Sequence, residues 1–179
     1  MTAGRISRRG FLALAGSGAA LATLGRLPAS ALSAASGAAP GGAAFFAPGE
    51  ADVLLQVMER IVDSGLPDAP RVRDSGALAA IDRLCLSLDP ELVKPLPWLL
   101  QAVEWGPWLF DLSFARFTTL SDAEKDASLR GWMTSRLALR RLGFQALKNL
   151  SLLGWYSQEA SWAAIGYAGP LLARAEGGR

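Results

Sequence analysis

Apolar side chains recur every three or four residues over most of the chain beyond residue 45, the spacing that places them on one face of an α-helix. The first such stretch opens at Pro48 and stops near Asp63. A second begins at Ser75 and ends at Asp89, where the following proline disfavours helical geometry. Both stretches predict amphipathic helices.

Residues 91–112 carry a helical pattern that is interrupted by Pro95, Pro97 and Pro107. Each proline lacks a backbone N–H donor and disfavours helix at the residue before it. We therefore expect a kinked or broken helical segment there.

The clearest local helix signal lies at Ser121, which can cap a helix while Glu124 reaches back to the Ser121 amide. The pattern predicts a helix that begins at Asp122 and runs to Leu150, and Ser157 is the predicted cap of a last short helix. The buried face of the long helix is predicted to hold Leu129, Trp132, Met133, Leu137, Phe144, Leu147 and Leu150, and the opposite face Arg130, Arg136, Arg140, Arg141 and Lys148.

The N-terminal residues have the order of a twin-arginine export signal. Arg8 and Arg9 are followed, after one residue, by Phe11 and Leu12, which open an Ala- and Gly-rich apolar stretch over residues 11–24. This stretch is shorter than the roughly 20 residues that span a bilayer, so it is typical of a signal h-region. Small-residue sites at 29–31 and 33–35 both suit signal peptidase, and the pattern does not choose between them.

No stretch shows the period-two alternation that strands need. The sequence therefore predicts an all-α fold, a small irregular helical domain of four or five helices after a disordered signal and linker. We assign residues 1–34 to the signal, 35–44 to an Ala/Gly/Pro linker, 45–172 to the helical domain and 173–179 to a C-terminal tail.

The composition removes most kinds of catalytic and metal site. The chain has no histidine and one cysteine, Cys85, so it lacks the ligands of most metal sites, haem attachment and iron–sulfur clusters, and every histidine-dependent triad. Its carboxylates are scattered singly, and its glycines form no phosphate-binding loop. We predict no catalytic residue, no metal site and no cofactor in this chain.

The charge distribution gives no support to nucleic-acid binding. All 16 acidic residues lie from Glu50 onward, whereas four of the 18 basic residues precede it, which leaves the exported part net negative. No long basic run or basic stripe interleaved with aromatic residues is present.

Six tryptophans are more than a small core requires, and Trp and Arg are enriched at the centres of protein interfaces. Arg136, Arg140 and Arg141 fall within one helical turn and form a local basic patch that suits a partner's carboxylates or lipid headgroups. The alternative, equally favoured by composition, is that the tryptophans fill a loosely packed core.

The carboxy-terminal third resembles the closing segment of gluconate 2-dehydrogenase subunit 3. The residues that carry the resemblance are those of 148–156 (KNLSLLGWY), 157–162 (SQEASW) and 165–170 (IGYAGP). The opening helix at Phe46-Ala47-Pro48-Gly49-Glu50 and the export signal also suit that family. The Trp-rich, proline-broken middle from Pro95 to Trp108 departs from the family pattern, which puts a sugar-oxidising partner in doubt and leaves room for a more hydrophobic substrate.

The resemblance implies a non-catalytic small subunit of a periplasmic or membrane-associated dehydrogenase of the glucose-methanol-choline group. Its large subunit would bind FAD, a cytochrome c subunit would be a further partner, and the small subunit would carry the folded flavoprotein to the twin-arginine translocase. Such a complex would be periplasmic, held at the inner membrane either through its other subunits or through an uncleaved signal. The residues expected at the partner interface are Arg136, Arg140, Trp155, Tyr156, Trp162, Tyr167, Gly169 and Pro170.

An alternative function is an independent periplasmic module that binds an apolar ligand among Trp98, Trp105, Trp108 and Phe110. An enzyme in its own right is not expected, because no nucleophile, base or metal set can be assembled from these residues.

Overall fold

The computed structural model describes residues 44–63, 69–110 and 114–168, and these residues form helices, turns and bends without a strand. The all-α prediction is confirmed. The α-helices are α1 (Pro48–Val62), α2 (Ala77–Ser87), α3 (Pro90–Val93), α4 (Pro95–Glu104), α5 (Gly106–Phe110), α6 (Asp122–Met133), α7 (Ala138–Tyr156) and α8 (Glu159–Trp162). Short 3₁₀ turns lie at Val72–Asp74, Phe117–Thr119 and Ala163–Ile165.

Five of these helices have ten or more residues, in line with the four or five expected. None of the helices in the described part of the chain has both the length and the apolar character needed to cross a bilayer. The proposed signal, the linker up to residue 43 and the tail lie outside the described residues.

Prolines set the helix boundaries in the middle of the chain. Pro90 begins α3 and Pro95 begins α4, both at positions where a missing N–H costs no helical hydrogen bond. Pro107 is the second residue of α5. The expected broken segment is therefore present as three short helices joined end to end.

Helices α1 and α7 form the centre of the fold. Helix α7 packs against α1, α2 and α6, and α1 also packs against α4. The fully buried side chains include Leu54, Met58, Ile81, Leu84, Leu96, Leu100, Phe117, Leu147 and Leu150. Because these side chains come from several helices that contact α7, the core fixes the position of α7 in the fold.

The predicted single helix from Asp122 to Leu150 is wrong, because the chain leaves the helical path between Met133 and Ala138. The Thr134 hydroxyl donates to the Arg130 carbonyl oxygen, and the Ser135 hydroxyl accepts from the Leu137 amide. These local bonds compete with the helical ones and end α6. Met133 and Leu137, expected on the buried face, are exposed at the resulting corner.

The predicted cap of the last helix is also displaced. Ser157 closes α7, with its hydroxyl donating to the Gly154 carbonyl oxygen, and Gln158 is the residue that precedes α8. The Glu124 half of the predicted capping box is confirmed, with the Ser121 amide donating to Glu124 Oε2 at 2.9 Å. The Ser121 hydroxyl donates to the same carboxylate oxygen and makes no cap bond to a backbone amide.

The chain enters the domain through an anchored segment. The Asp82 carboxylate on α2 accepts hydrogen bonds from the Phe45 and Phe46 amides at 3.0–3.2 Å. Phe46 is buried in the core and packs edge-on against Phe45. These contacts attach the segment before α1 to α2 and to the core.

Candidate partner interface

An exposed apolar surface forms where the end of α5 meets the α6–α7 corner. The Phe110 ring lies edge-on to Trp132, with ring centroids 6.5 Å apart. Trp108 and Leu109 precede Phe110 on α5, and each of these three side chains is at least 44% exposed. With Met133 and Leu137 of the corner and Arg140 of α7, we call this set the arginine–aromatic surface: Trp108, Leu109, Phe110, Met133, Leu137 and Arg140.

Arg140 binds the two halves of this surface together. Its guanidinium lies 4.1 Å from the centre of the Phe110 ring and 5.1 Å from that of Trp132. Cation–π contacts of this kind contribute about 0.5–2 kcal/mol depending on desolvation. The Phe110 ring belongs to α5 and the Trp132 ring to α6, so their shared contact with Arg140 of α7 holds the end of α5 against the corner.

The other arginines at the corner have distinct roles. Arg141 donates to the Ser135 and Arg136 carbonyl oxygens at 2.6 and 3.1 Å, and so satisfies backbone acceptors of the connection before α7. Arg136 is exposed. The sequence between Asp126 and Glu159 contains five basic residues and no acidic one, and the exposed Arg130, Arg136 and Arg141 of that stretch make the corner locally basic.

A second exposed group lies at the opposite end of α7. Trp162 and Tyr167 pack edge-on with centroids 5.3 Å apart, and the Trp162 indole N–H donates to the Tyr156 carbonyl oxygen at 2.9 Å. Gly166 turns the chain in the left-handed region at φ 68°, which returns Tyr167 to the ring of Trp162. With Ile165 these residues form the C-terminal aromatic cluster: Tyr156, Trp162, Ile165 and Tyr167.

Trp155, one of the expected interface residues, is only 5% exposed and belongs to the core. The neighbouring Gly154 lets α7 approach α2 so closely that an added Cβ would lie 2.6 Å from Ile81 Cδ1. Consecutive residues of a helix point about 100° apart, so Trp155 faces inward while Tyr156 faces outward.

The structure therefore divides the expected interface into two groups. Arg136 and Arg140 lie at one end of α7, and Tyr156, Trp162 and Tyr167 lie at the other. Sixteen residues separate Arg140 from Tyr156, about 24 Å along the helix axis at the standard rise per residue. Gly169 and Pro170, and the export residues Arg8, Arg9, Phe11 and Leu12, lie outside the described residues.

Sequence reasoning missed several exposed apolar residues. Leu137 and Met133 were assigned to the core because they continue the helical pattern, and Phe114, which is 94% exposed, carried no signal of its own. Arg116 lies over the Trp105 ring at 4.8 Å, a contact between residues eleven positions apart that no local pattern indicates. The four aromatic residues of the apolar-ligand alternative, Trp98, Trp105, Trp108 and Phe110, are all exposed.

A charged cleft of about 340 Å³ lies beside α1. Four carboxylates and four basic side chains line it in equal number: Glu59, Asp63, Asp74, Asp122, Arg60, Arg71, Arg73 and Lys125. Three of the basic groups face carboxylates of the same lining, Arg60 and Lys125 at Asp122 and Arg73 at Glu59. Among the described residues no cluster of three or more potential metal ligands is present.

Ion pairs that border this cleft join α1 to α6. Arg60 donates two hydrogen bonds of 2.8 Å to Asp126 and one of 2.9 Å to Asp122. The hydrogen bond from Arg60 is the main cause that holds the pKa of Asp126 below its usual value. These ion pairs therefore hold α1 and α6 together.

Comparison with known proteins gives one informative similarity. Over 110 residues the chain is 28% identical to the long-chain-alcohol oxidase FAO4A of Arabidopsis thaliana. The match covers 50% of this chain and 15% of the oxidase, so the chain corresponds to a small part of that protein. No protein-family model matches the sequence, and no solved structure matches it. Over half its length, the chain is thus distantly similar to an oxidoreductase.

Proposed function

We propose that this chain is the non-catalytic small subunit of a FAD-dependent alcohol dehydrogenase of the glucose-methanol-choline group. In this role it binds a separate flavoprotein large subunit, stabilises it and escorts it, already folded, through twin-arginine export. The observation that carries the proposal is the arginine–aromatic surface, in which exposed apolar side chains surround the half-buried Arg140. The domain that bears this surface is distantly similar to part of an oxidase.

The similarity to the plant oxidase supports a partnership with a larger chain. The matched region is 15% of that protein, which belongs to the oxidoreductases. A partner of the same oxidoreductase type is therefore consistent with the similarity. The relative's long-chain alcohol substrate also agrees with a hydrophobic substrate for the partner.

The chemistry of the chain supports an accessory role. It has no histidine, its one cysteine is buried, and burial raises the pKa of the Cys85 thiol to about 12. A thiol with that pKa is not a nucleophile at neutral pH. FAD is therefore assigned to the partner subunit, and electrons would leave that subunit for a cytochrome c subunit.

The export signal supports the escort role. Twin-arginine export carries folded proteins, and this chain offers no bound cofactor as a reason for folding before export. A flavoprotein partner that must fold around FAD supplies that reason. The complex is accordingly proposed to be periplasmic, in contact with the inner membrane.

The second candidate, an independent module that holds an apolar ligand, has weaker support. Ligand sites bury most of the ligand's surface in a concave, largely apolar pocket. Trp98 is 67% exposed and Trp108 is 50% exposed, so these rings enclose no such space in the structure.

Co-purification tests the proposal. The chain is tagged at its carboxy terminus and purified from the periplasm and membranes of its native host, and the eluate is examined for a second polypeptide with a flavin absorbance spectrum. A near-stoichiometric yellow complex with alcohol dehydrogenase activity is expected. A colourless monomer would remove the subunit proposal and leave the ligand-binding module.

A further inference from the structure

We infer that the arginine–aromatic surface, rather than the C-terminal aromatic cluster, is the face that docks the flavoprotein. We further infer that the flavoprotein presents there an apolar centre bordered by carboxylates. This inference rests on the proposed function and adds to it the docking face and the chemistry of the partner's matching surface.

The composition of the surface matches the centre of a protein interface. It combines a tryptophan, a phenylalanine, a methionine and an arginine, residue types that are enriched at interfaces, with exposed leucine side chains that add apolar area. Arg140 holds the Phe110 ring in place before any partner arrives. Pre-ordering of this kind lowers the entropy cost of association.

The charge around the arginine–aromatic surface indicates which kind of partner binds there. Arg130, Arg136 and Arg141 are exposed around the α6–α7 corner. The stretch between Asp126 and Glu159 holds five basic residues and no acidic one, and Asp126 itself is bound to Arg60. A two-fold contact between two copies of this chain would bring the same positive surface together, which is unfavourable. Residues 1–43 contain four arginines and no acidic residue, so the chain's own N-terminal segment is no better a match. An acidic surface on a different protein is the complementary occupant.

The C-terminal aromatic cluster lacks these properties. Its Trp162 is engaged by Tyr156 and Tyr167 of the same cluster, and Glu159 is the only charged residue between positions 157 and 168. It therefore offers neither a free aromatic anchor nor a charge that attracts a carboxylate.

A substitution at Leu137 can weaken docking without weakening the fold. It is the N-cap residue of α7, with extended backbone geometry and no side-chain cap. Aspartate is a preferred N-cap residue, and its charge is favourable at a helix N-terminus. The Leu137→Asp variant should therefore fold at least as stably as the wild type while it places a negative charge on the docking surface. Arg136→Glu gives an independent charge reversal on an exposed side chain.

Ile165→Asp is the matched control, because Ile165 is 50% exposed and Leu137 is 56% exposed. The probe is the flavin-containing polypeptide that co-purifies with the wild-type chain, isolated and titrated with each full-length variant. We expect Leu137→Asp and Arg136→Glu each to weaken binding at least about tenfold, and Ile165→Asp to leave it unchanged. Unfolding curves of the same variants provide the folding check.

Three results would overturn the inference. If Ile165→Asp weakens binding and Leu137→Asp does not, the docking face is wrong, whereas captured flavoprotein still supports the proposed function. If Leu137→Asp instead abolishes self-association, or binding to phosphatidylserine vesicles, with flavoprotein affinity unchanged, the surface serves another copy or a membrane. If the wild-type chain captures no flavoprotein, the proposed function fails and the inference fails with it.

Discussion

The closest helix crossing in the fold predicts how three Gly→Ala substitutions rank in stability. At Gly154 on α7, an added Cβ would lie 2.6 and 2.7 Å from Ile81 Cδ1 and Cγ1 and 3.1 Å from the Ala77 carbonyl oxygen. Ile81 is fully buried and the carbonyl belongs to the backbone of α2, so α2 itself must move. Overpacking of this kind costs about 1–3 kcal/mol, and the gain in helix propensity from Gly to Ala offsets about 1 kcal/mol of it.

We therefore expect Gly154→Ala to lower the free energy of unfolding by about 1 kcal/mol, and by at most about 2 kcal/mol. At Gly143 the terminal methyl of Leu99, 2.7 Å away, can rotate aside, but the buried Trp132 ring lies 3.2 Å from the added Cβ and must shift slightly, so Gly143→Ala should fall between the other two variants. At Gly49 nothing lies within 4 Å, and Gly49→Ala should stabilise by up to about 1 kcal/mol.

Urea unfolding of the three full-length variants, followed by circular dichroism, measures the ranking. In thermal unfolding of the same variants, each kcal/mol of change in the free energy of unfolding should shift Tm by about 2–4 °C. A Gly154→Ala variant as stable as Gly49→Ala would refute the reasoning, because it would mean that α2 and α7 do not meet as closely as described.

Other predictions concern buried and charged groups. Arg60→Ala should destabilise the fold by about 1 kcal/mol. Arg60 lowers the pKa of Asp126 from 3.8, so the stability that this pair contributes is present at neutral pH and is lost as the pH falls below about 4. In pH-dependent unfolding, the stability of the variant should therefore fall less steeply with acid than that of the wild type. Cys85 should react with a thiol reagent only after denaturation, and reaction in the native state would contradict its burial. Asp82→Asn should cost about 1–2 kcal/mol and speed hydrogen exchange at the Phe45 and Phe46 amides, whereas unchanged exchange would show that this anchor is unimportant.

The starts of α4, α5 and α6 were predictable because they depend on nearby residues. Ser121 and Glu124 are three positions apart, and the Glu124 carboxylate accepts from both the amide and the hydroxyl of Ser121 at the start of α6. Pro95 and Pro107 act on their own and preceding residues, so they mark the starts of α4 and α5. Signals of this range can be interpreted without knowledge of the tertiary structure.

The break between α6 and α7 was not predictable by the same means. The apolar spacing continues through Met133 and Leu137, and the connection contains no glycine or proline. The helix ends because Thr134 and Ser135 form hydrogen bonds with nearby backbone groups, and α7 then takes a course set by its packing on α1 and α2. Periodicity describes which residues share a face, and it does not say whether the helix continues.

The candidate interface was predictable in residue type but not in arrangement. Arg140 and Tyr156 were both expected to meet a partner, yet their distance along α7 and the inward direction of Trp155 follow from the packing of the whole domain. The stacking of Arg140 on Phe110 joins residues 30 positions apart, and no local pattern contains that contact.

The central claim is that this chain brings a folded flavoprotein across the membrane, and localisation of that flavoprotein tests it most directly. In a strain that carries the Arg8→Lys, Arg9→Lys double variant as its only copy, flavin-linked alcohol dehydrogenase activity is measured in periplasmic and cytoplasmic fractions. The account predicts that the flavoprotein and its activity remain in the cytoplasm, and that the wild-type chain restores them to the periplasm. A flavoprotein that reaches the periplasm normally in the double variant would contradict the account.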